Sequence, residues 1–452
     1  MTATSHTVDA PLVDGSHTRA ALAPDEDAFV VRGPATLTGT VRIGGAKNSA
    51  LKLFAAALLA PGTSVLANVP GISDTFAMAD VVRHLGATVA IEADGAGTHT
   101  VTIDVPDQLG EGTTLELAGR LRSSLATFGP LMARMGYAHI AQPGGCNLGS
   151  RGVDLHLEGM AALGAEITVG AEHFEARAPR GLVGADYELE YASVGATENL
   201  VMAATTARGT TRLRNVAREP EIADLIDFLN GLGARITGAG TPELTIEGVE
   251  ALTPCRHRVV GDRIEAGTFA VAAAMTGGDV TIEGVDPAHL ARPLDRMRAA
   301  GVQLRTGADF IRVLPGAQLV AADVATLPYP GFPTDMLAQF QALLSQAQGQ
   351  SLLTENVYEG RFALIDQMQL MGADITREGH HVVVRGPRAL HGAVVRATDL
   401  RAGAALVLAG LVAEGETVVR DPFHIDRGYA DFLGKLTNLG ADVERVGTAA
   451  AG

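Results

Sequence analysis

The chain has 452 residues, of which 47% are hydrophobic, and its formal net charge at pH 7 is −16. This length and hydrophobic content are sufficient for two or three domains with large cores. The acidic balance and the low aromatic content of 4% argue against a protein that binds nucleic acid or an anionic membrane surface.

The N-terminal segment is polar. Residues 1–27 are rich in Thr, Ala, Asp and His and contain no apolar stretch, so they predict a disordered tail rather than a signal peptide. No part of the sequence approaches the ~18 consecutive apolar residues of a membrane span. The two cysteines, Cys146 and Cys255, are too few for a disulfide framework and fit a reducing compartment. We therefore expect a cytoplasmic protein that is not bound to a membrane.

A helix that ends in Leu-Gly-Ala, or a close variant, and continues into a strand recurs six times along the chain. The glycines of this repeat, about 68 to 78 residues apart, are Gly86, Gly164, Gly233, Gly301, Gly372 and Gly440. Glycine suits the position because it readily takes the left-handed conformation that ends a helix. The pattern predicts six repeated α/β units.

A second repeat alternates with the first and consists of Ala- and Leu-rich helices that lead through a Gly into a strand. Its copies include FAAALLAPGTSVLANV, LVMAATTARGTTRLRNV, FAVAAAMTGGDVTIEGV and ALVLAGLVAEGETVVRDP, with weaker copies in FGPLMARMGYAHIAQP and QFQALLSQAQGQSLLTENV. Helices that are apolar nearly all round are expected inside a fold. One interpretation of the two repeats is that the six units form a single ordinary α/β array.

We favour an α/β protein of two pseudo-threefold domains with three units each, apolar helices inside and sheets facing solvent. The first lobe would comprise residues 28–46 and 256–452, and the second lobe residues 47–255. Ligands commonly bind in the cleft between two such domains.

The segment VRIGGAKNSALKL places Lys47 and Asn48 after two glycines, at the start of an apolar helix. The free N–H groups of a helix start attract anions, and a lysine adds a point charge there. The chain contains only three lysines against 32 arginines, so the choice of lysine is informative. An ordinary solvated helix start is the alternative interpretation.

The segment QPGGCNLGSRGVDLHLEGM surrounds Cys146 with glycines and places Arg151 five residues later. A mobile loop with a nearby cation would lower the thiol pKa and favour the reactive thiolate. A small buried hydrophobe is the alternative for Cys146, while Cys255 has no comparable setting.

Other acid–base candidates lie farther along the chain. Asp335 follows two prolines at a helix start, where it could cap the helix or act as a general base. Two further Asp/Arg combinations, Asp399 with Arg401 and Asp426 with Arg427, could be weak surface pairs, and ENVYEGRF adds Glu359 and Arg361. The sequence contains none of the common metal or nucleotide-cofactor motifs, so we expect no metal and no cofactor.

Eight segments identify a family: GGAKNSALK, PGGCNLGSRGVDLH, SVGATEN, AREPEI, GDRIEAGTF, FPTDM, ATDLRAGAALVLAG and HIDRGY, in this order. Together they closely resemble the UDP-N-acetylglucosamine enolpyruvyl transferases, the MurA family, from about Phe29 to Val446. The resemblance implies the enolpyruvyl transferase fold, in which each domain is an inside-out α/β barrel.

The resemblance implies an enzyme that transfers the enolpyruvyl group of phosphoenolpyruvate to the 3-hydroxyl of UDP-N-acetylglucosamine and releases phosphate by addition and elimination. This reaction is the first committed step of peptidoglycan precursor synthesis. The expected partners are these two small molecules, with no nucleic acid, and the protein is expected to be a monomer.

The family pattern also implies roles for individual residues. Cys146 would add to phosphoenolpyruvate, assist proton transfer and be alkylated by fosfomycin. Asp335 would deprotonate the sugar hydroxyl, and Asp399 would lie beside the cysteine loop. The residues expected to hold substrate in the cleft are Lys47, Asn48, Arg122, Arg151, Arg361, Arg401 and Arg427.

The nucleotide sugar is expected to contact a separate set of residues: Asp154, Leu155, Ser193, Val194, Gly195 and Val357. Two positions depart from the family pattern. Gly152 replaces a common Pro and should loosen the wall around the uridine, and Tyr191 stands where some members carry Lys.

Three alternatives compete with this interpretation. A 5-enolpyruvylshikimate-3-phosphate synthase shares the fold but lacks the PGGC loop. An enolpyruvyl transferase from antibiotic biosynthesis would share the phosphoenolpyruvate site and use another nucleotide acceptor. A non-catalytic relative that binds UDP-sugars would be expected to have lost at least one of Lys47, Cys146, Arg151, Asp335 and Arg427.

Overall fold

The computed structural model describes residues 26–95, 97–141 and 152–447. Within them the chain forms the helices α1 (Lys47–Ala57), α2 (Ser73–His84), α3 (Leu115–Arg120), α4 (Phe128–Met135), α5 (Asp154–Ala162), α6 (Val194–Ala204), α7 (Pro220–Gly231), α8 (Arg263–Met275), α9 (Ala291–Ala299), α10 (Leu337–Ser345), α11 (Leu364–Leu370), α12 (Leu400–Gly410), α13 (Phe423–Asp426) and α14 (Phe432–Asn438). Short 3-10 helices lie at Arg122–Thr127, Pro287–Leu290, Thr334–Met336 and Glu359–Ala363.

The strands are short and follow the helices closely along the chain. They are β1 (Ala28–Gly33), β2 (Thr38–Arg42), β3 (Gly62–Pro70), β4 (Thr88–Gly95), β5 (Thr98–Val105), β6 (Tyr137–Ala141), β7 (Glu166–Val169), β8 (His173–Arg177), β9 (Asp186–Glu188), β10 (Thr210–Arg214), β11 (Arg235–Thr237), β12 (Glu243–Glu247), β13 (Arg256–Arg258), β14 (Asp279–Glu283), β15 (Leu304–Thr306), β16 (Phe310–Val313), β17 (Val324–Ala325), β18 (Gly349–Thr354), β19 (Asp374–Glu378), β20 (His381–Gly386), β21 (Val394–Arg396), β22 (Gly415–Arg420) and β23 (Asp442–Val446).

The strands of the described residues form six small sheets, one for each predicted unit. Five sheets have four strands, in the orders β21-β22-β1-β23, β11-β12-β10-β9, β13-β3-β5-β4, β15-β16-β14-β2 and β17-β18-β20-β19, and the sixth has the order β6-β8-β7. In each four-stranded sheet one edge pair is parallel and the other pairs are antiparallel. The repeated α/β organisation predicted from the sequence is confirmed.

The six glycines of the Leu-Gly-Ala repeat all have the left-handed backbone that the sequence predicts. Their φ angles lie between 90° and 103°, a region that side chains with a Cβ rarely adopt. Each glycine ends an outer helix and turns the chain toward a strand, as at Gly86 after α2 and Gly440 after α14.

The apolar helices lie inside, as their composition predicts. Every residue of α8 and α10 is buried, and in α12 only the first residue is not. Buried apolar side chains form two large clusters, one from Ala50 to Val259 and one that joins Phe29–Ile43 to residues 264–441. Strand β13 follows residue 255 and pairs with β3, so the chain crosses between the clusters just after it.

The chain passes between the two hydrophobic clusters near Gly44 and again near Asp262. These two segments are hydrogen-bonded to each other at the start of α1. Gly44 O accepts a hydrogen bond from Asp262 N (2.9 Å), and Val260 O accepts one from Ala46 N (2.7 Å). The Asp262 carboxylate caps α8 by accepting from the N–H groups of residues 264 and 265, and it also accepts from Lys47 N at 3.1 Å. One carboxylate therefore anchors the first helices of both clusters.

No helix within the described ranges is both long and apolar enough to cross a lipid bilayer.

Candidate active site

Asp74 brings together two cations from distant parts of the chain. Its carboxylate lies in the first turn of α2 and is 4% exposed. Nζ of Lys47, at the start of α1, is 2.8 Å from Asp74 Oδ2. Arg427, just after α13, donates from Nε to Oδ1 at 2.9 Å and from Nη2 to Oδ2 at 3.4 Å. The contact joins the two hydrophobic clusters at a group of charges in which Lys47 and Asp74 are buried and Arg427 is half-buried.

Burial and neighbouring charges shift the pKa values of this group. Burial lowers the pKa of Lys47, and the nearby guanidinium groups of Arg401 and Arg427 lower it further, while Asp74 opposes both effects. Burial alone would raise the pKa of Asp74, but Lys47 and Arg427 bring it below its ordinary value. Asp74 is therefore ionised at neutral pH and favours the charged form of Lys47, which burial and the neighbouring arginines disfavour.

Asp335 forms a second group of charges with two arginines. It lies in the 3-10 helix Thr334–Met336 with its side chain 21% exposed. Arg401 donates to Oδ2 from Nη2 at 2.9 Å and from Nε at 3.3 Å, and Arg361 donates from Nη2 to Oδ1. The side chain caps no helix, because both of its oxygens bind guanidinium groups.

Asp335 remains ionised although it is largely enclosed. Burial alone would raise its pKa, but Arg401, Arg361 and Arg263 lower it far below the usual range of an aspartate. An ionised carboxylate can accept a proton from a hydroxyl, and the arginines that lower its pKa make it a weaker base.

Asp399 and Arg401 are not a surface pair, contrary to one interpretation of the sequence. Asp399 caps α12 by accepting from the backbone N–H groups of residues 401 and 402 at 2.7 and 3.1 Å. Its carboxylate also lies 3.6 Å from Nη1 of Arg361. The Arg401 side chain is 2% exposed, and its guanidinium lies 5.4 Å from the ring centroid of Tyr429.

Asp426 and Arg427 do not pair either, because their side chains contact different elements. Asp426 binds Nη1 of Arg445 at 3.0 Å, while Arg427 binds Asp74. Only Arg427 therefore belongs to the group of charges around Asp74.

A third polar cluster surrounds His156 in α5. Gly129 N donates to Asn199 Oδ1 at 2.8 Å, which fixes the orientation of the Asn199 amide. Asn199 Nδ2 therefore faces His156 Nδ1 at 2.9 Å, so Nδ1 accepts and is not protonated. Burial, Arg122 and Lys52 lower the pKa of His156 to about 4. His156 is thus neutral at neutral pH and carries its proton on Nε2.

Most residues expected to contact the nucleotide sugar lie at the starts of α5 and α6. Asp154 and Leu155 begin α5, and Ser193 caps α6 by accepting from the N–H of residue 196 at 3.3 Å. Val194 and Gly195 form the first turn of α6. A Cβ on Gly195 would lie 3.1 Å from His156 Cε1, so the two helix starts are in close contact.

The remaining expected residues are placed less closely together. Asn48 is an exposed residue in the first turn of α1. Val357 is half-buried and lies on the segment that leads to Arg361, away from α5 and α6 along the chain. Cys146 and Arg151 lie outside the described residues. Cys255 is half-buried, and burial raises the pKa of its thiol.

Four parts of the site were not predicted from the sequence. No role was predicted for Asp74, His156 or Glu355, although His156 lies in the segment that contains Asp154, and Glu355 lies in the segment that contains Arg361. Arg263 and Glu221 form a buried pair (Nε to Oε1, 2.9 Å) between α8 and α7. Both belong to motifs that carry the family resemblance, AREPEI and GDRIEAGTF, and this was the signal available for them.

Comparisons with known proteins agree with this fold. A family model described as EPSP synthase (3-phosphoshikimate 1-carboxyvinyltransferase) matches residues 31–436. The UDP-N-acetylglucosamine 1-carboxyvinyltransferase of Corynebacterium jeikeium (strain K411) is 48% identical over 421 residues, which cover 93% of this chain and 99% of that protein. The protein of the same description from Mycobacterium bovis (strain ATCC BAA-935 / AF2122/97) is 49% identical with the same coverage.

Solved structures are similar over nearly the whole chain. The enolpyruvyl transferase NikO from Streptomyces tendae superposes with a TM-score of 0.84 at 27% identity and covers 94% of this chain and 100% of its own. An EPSP synthase from Acinetobacter baumannii has a TM-score of 0.72 at 20% identity, with coverage of 93% and 99%, and supports the fold alone.

The two-cluster α/β fold and the matched sequence define an enolpyruvyl transferase, of the enzyme class that transfers carboxyvinyl groups. Within that class the chain belongs to the UDP-N-acetylglucosamine 1-carboxyvinyltransferase family.

Proposed function

We propose that this chain transfers the enolpyruvyl group of phosphoenolpyruvate to the 3-hydroxyl of UDP-N-acetylglucosamine and releases phosphate. The observation that carries the proposal is the ionised Asp335 carboxylate between Arg361 and Arg401, close to the cations that Asp74 holds. The sugar hydroxyl needs a base that accepts its proton, and phosphoenolpyruvate needs cations that bind its negative charges. A carboxylate beside a set of cations meets both requirements.

Phosphoenolpyruvate carries about three negative charges and must bind to an acidic protein, so converging cations are needed. Lys47, Arg401 and Arg427 would supply three of them, and they lie close enough together that both arginines lower the pKa of Lys47. Arg122 adds a fourth cation beside His156. Arg151, in the cysteine loop, is expected to complete the set.

The proposed chemistry includes three proton transfers. The sugar oxygen bonds to C2 of phosphoenolpyruvate as Asp335 takes the hydroxyl proton, and C3 gains a proton that Cys146 helps to deliver. The tetrahedral intermediate then loses phosphate from C2 and a proton from C3, which restores the double bond. Each step needs a positioned acid or base, and exclusion of water protects the intermediate.

The nucleotide sugar is proposed to bind at the starts of α5 and α6. Asp154, Leu155, Ser193, Val194 and Gly195 lie there, next to neutral His156. The backbone N–H groups at a helix start suit an anionic ligand. Val357 would contact the sugar from the segment that carries Arg361.

The wider setting follows from the proposed reaction. The product would be the first committed precursor of peptidoglycan, so the enzyme would act in cell-wall biogenesis, cell shape and cell division. Its Cys146 would make it a target of fosfomycin. We propose a cytoplasmic monomer that binds these small molecules and no nucleic acid. Residues 28–46 with 256–452 and residues 47–255 would be its two lobes, consistent with the two hydrophobic clusters.

The addition and elimination are tested by running the reaction in deuterium oxide with both substrates. Because C3 becomes a methyl group and then loses one of its hydrogens, the vinyl group of the product should contain solvent deuterium. Mass spectrometry of the nucleotide product measures this label. A product formed in full yield without deuterium would contradict the addition–elimination mechanism.

A further inference from the structure

Glu355 is a buried carboxylate, 2% exposed, just after β18. Its Oε1 accepts hydrogen bonds from Oγ1 of Thr326 (2.6 Å) and from the backbone N–H groups of Val357 (2.6 Å) and Tyr358 (2.9 Å). Its Oε2 accepts from Oγ1 of Thr334 at 2.7 Å. One carboxylate thus binds the residue before Asp335 and the segment that leads to Arg361.

The hydrogen bonds diverge from the Arg361 guanidinium, which donates directly to Asp335 on one path and through the Thr334 hydroxyl to Glu355 on the other. The Thr334 hydroxyl donates its single proton to Oε2 of Glu355. A lone pair of Thr334 then remains to accept from Nε of Arg361, at 3.3 Å. The same guanidinium donates from Nη2 to Oδ1 of Asp335.

Arg361 is therefore oriented by two acceptors, the Thr334 hydroxyl at Nε and the Asp335 carboxylate at Nη2. A guanidinium is a planar donor in a fixed geometry, so the Thr334 contact fixes the face that it presents to Asp335. Asp335 also binds Arg401 through its second oxygen, and Asp399 lies 3.6 Å from the other side of Arg361. The position of each carboxylate oxygen is thereby set.

We propose that Glu355 is a positioning residue for the base Asp335, acting through the Thr334 hydroxyl and the Arg361 guanidinium. The inference rests on the proposed function, in which Asp335 accepts the proton of the sugar hydroxyl. Glu355 does not touch the reacting atoms. It fixes the direction of the hydrogen-bond chain, which keeps Arg361 and Asp335 in the geometry that proton transfer requires.

Two substitutions break the chain at different points. Thr334→Val keeps the shape of the side chain and removes the hydroxyl. Glu355→Gln places either an amide NH₂ or a single acceptor opposite Thr334, and one oxygen can no longer serve all four donors. Thr334→Ser keeps the hydroxyl and is the conservative variant that should restore the wild-type behaviour.

Thr326→Val is the matched control. Thr326 is fully buried and donates to the same carboxylate, and its Oγ1 also accepts from Asn356 N at 2.9 Å. This branch of the network leads away from Asp335. Its loss should lower the melting temperature at least as much as Thr334→Val does and leave turnover unchanged.

Steady-state kinetics with both substrates measure the effect on the base. Thr334→Val and Glu355→Gln should each lower kcat by about tenfold, with KM for phosphoenolpyruvate unchanged. The double variant should lose no more than the single ones, because both break one chain. Thr334→Ser and Thr326→Val should keep the wild-type kcat. Three results would overturn the inference. They are a wild-type kcat in Thr334→Val, a loss of kcat in the double variant that equals the product of the two single losses, and a loss of kcat in Thr326→Val that equals the loss in Thr334→Val.

The proposed function and the inference fail in different ways. A wild-type protein that releases no phosphate with UDP-N-acetylglucosamine contradicts the proposed function. Crystal structures of the ligand-free variants then test the positioning role without turnover. The Arg361 guanidinium should leave Asp335 in Thr334→Val and remain in place in Thr326→Val. An unmoved guanidinium in Thr334→Val would reject the role of Glu355.

Discussion

Nε of Arg427 donates a 2.9 Å hydrogen bond to Oδ1 of Asp74, although the two residues are 353 positions apart in the sequence. The same carboxylate binds Lys47, so an acid of the protein neutralises two cations that are proposed to hold phosphoenolpyruvate. Phosphoenolpyruvate brings its own negative charge, so we expect it to replace part of the contact that Asp74 makes with Lys47 and Arg427. Asp74 would then couple substrate binding to the contact between the two hydrophobic clusters.

Asp74→Asn should destabilise the protein by about 3 kcal/mol, because removing one partner of a buried ion pair leaves the other charge uncompensated. Lys47 would then face only burial and the cations Arg401 and Arg427. Urea unfolding measures the change. Asp80→Asn is the control in the same helix: its carboxylate pairs with Arg83 at the surface (3.1 Å) and should contribute less than about 1 kcal/mol. Equal effects of the two substitutions would contradict the buried-pair account.

The repeated architecture could be predicted from the sequence, while Asp74 could not. Left-handed glycines at fixed intervals and helices without a polar face are local signals, and each has one physical explanation. An aspartate in the first turn of a helix is ordinary, so nothing in VPGISDTF distinguishes Asp74 from a residue that favours the helix dipole. Its contact with Arg427 depends on the tertiary fold.

The predicted site residues show the same limit. Asp335 could be recognised as a cap or a base, and the choice required the two arginines that bind its oxygens. Arg401 and Asp399 were close in sequence, yet their side chains point to different partners. His156 and Glu355 act through hydrogen-bond partners far along the chain, which no local pattern reveals.

His156 should make stability depend on pH. Its pKa of about 4 in the folded protein lies below the unfolded value of about 6.5, so the unfolded chain binds more protons between these values. Its contribution is fully present above about pH 6.5 and is lost as the pH falls toward 4, at a cost of about 3 kcal/mol. Urea unfolding of His156→Gln at several pH values should show a correspondingly weaker pH dependence. The exposed His84→Gln should behave as wild type, and an unchanged slope in His156→Gln would refute the account.

Asp335→Asn should lower kcat by about 10²- to 10⁴-fold, because an amide cannot accept the hydroxyl proton. The folded structure should persist, since Asn still accepts hydrogen bonds from Arg401. Asp374→Asn is a matched control, because Asp374 also binds two arginines, Arg385 (3.4 Å) and Arg388 (2.6 Å), but lies at the start of β19 and contacts none of the site residues described above. Steady-state kinetics compare the two. Loss of activity in Asp374→Asn, or retention in Asp335→Asn, would count against Asp335 as the base.

Fosfomycin should alkylate Cys146 and spare Cys255. The raised pKa of the Cys255 thiol leaves little thiolate at neutral pH, and the thiolate is the form that opens an epoxide. Peptide mass spectrometry should find one adduct, and UDP-N-acetylglucosamine should speed its formation. Cys146→Asp should abolish the adduct, whereas Cys255→Ser should keep it. Labelling at Cys255, or full inhibition of Cys146→Asp by fosfomycin, would reject this role of the loop.

Phosphate release from phosphoenolpyruvate with different acceptors tests the central proposal most directly. The wild-type protein should release phosphate with UDP-N-acetylglucosamine and should not do so with shikimate 3-phosphate or with UMP. Release with UMP alone would instead assign the chain to an enolpyruvyl transferase with another nucleotide acceptor, and release with shikimate 3-phosphate alone would assign it to the EPSP synthases. Either result would contradict the roles proposed for Asp335 and for the nucleotide-sugar site at α5 and α6.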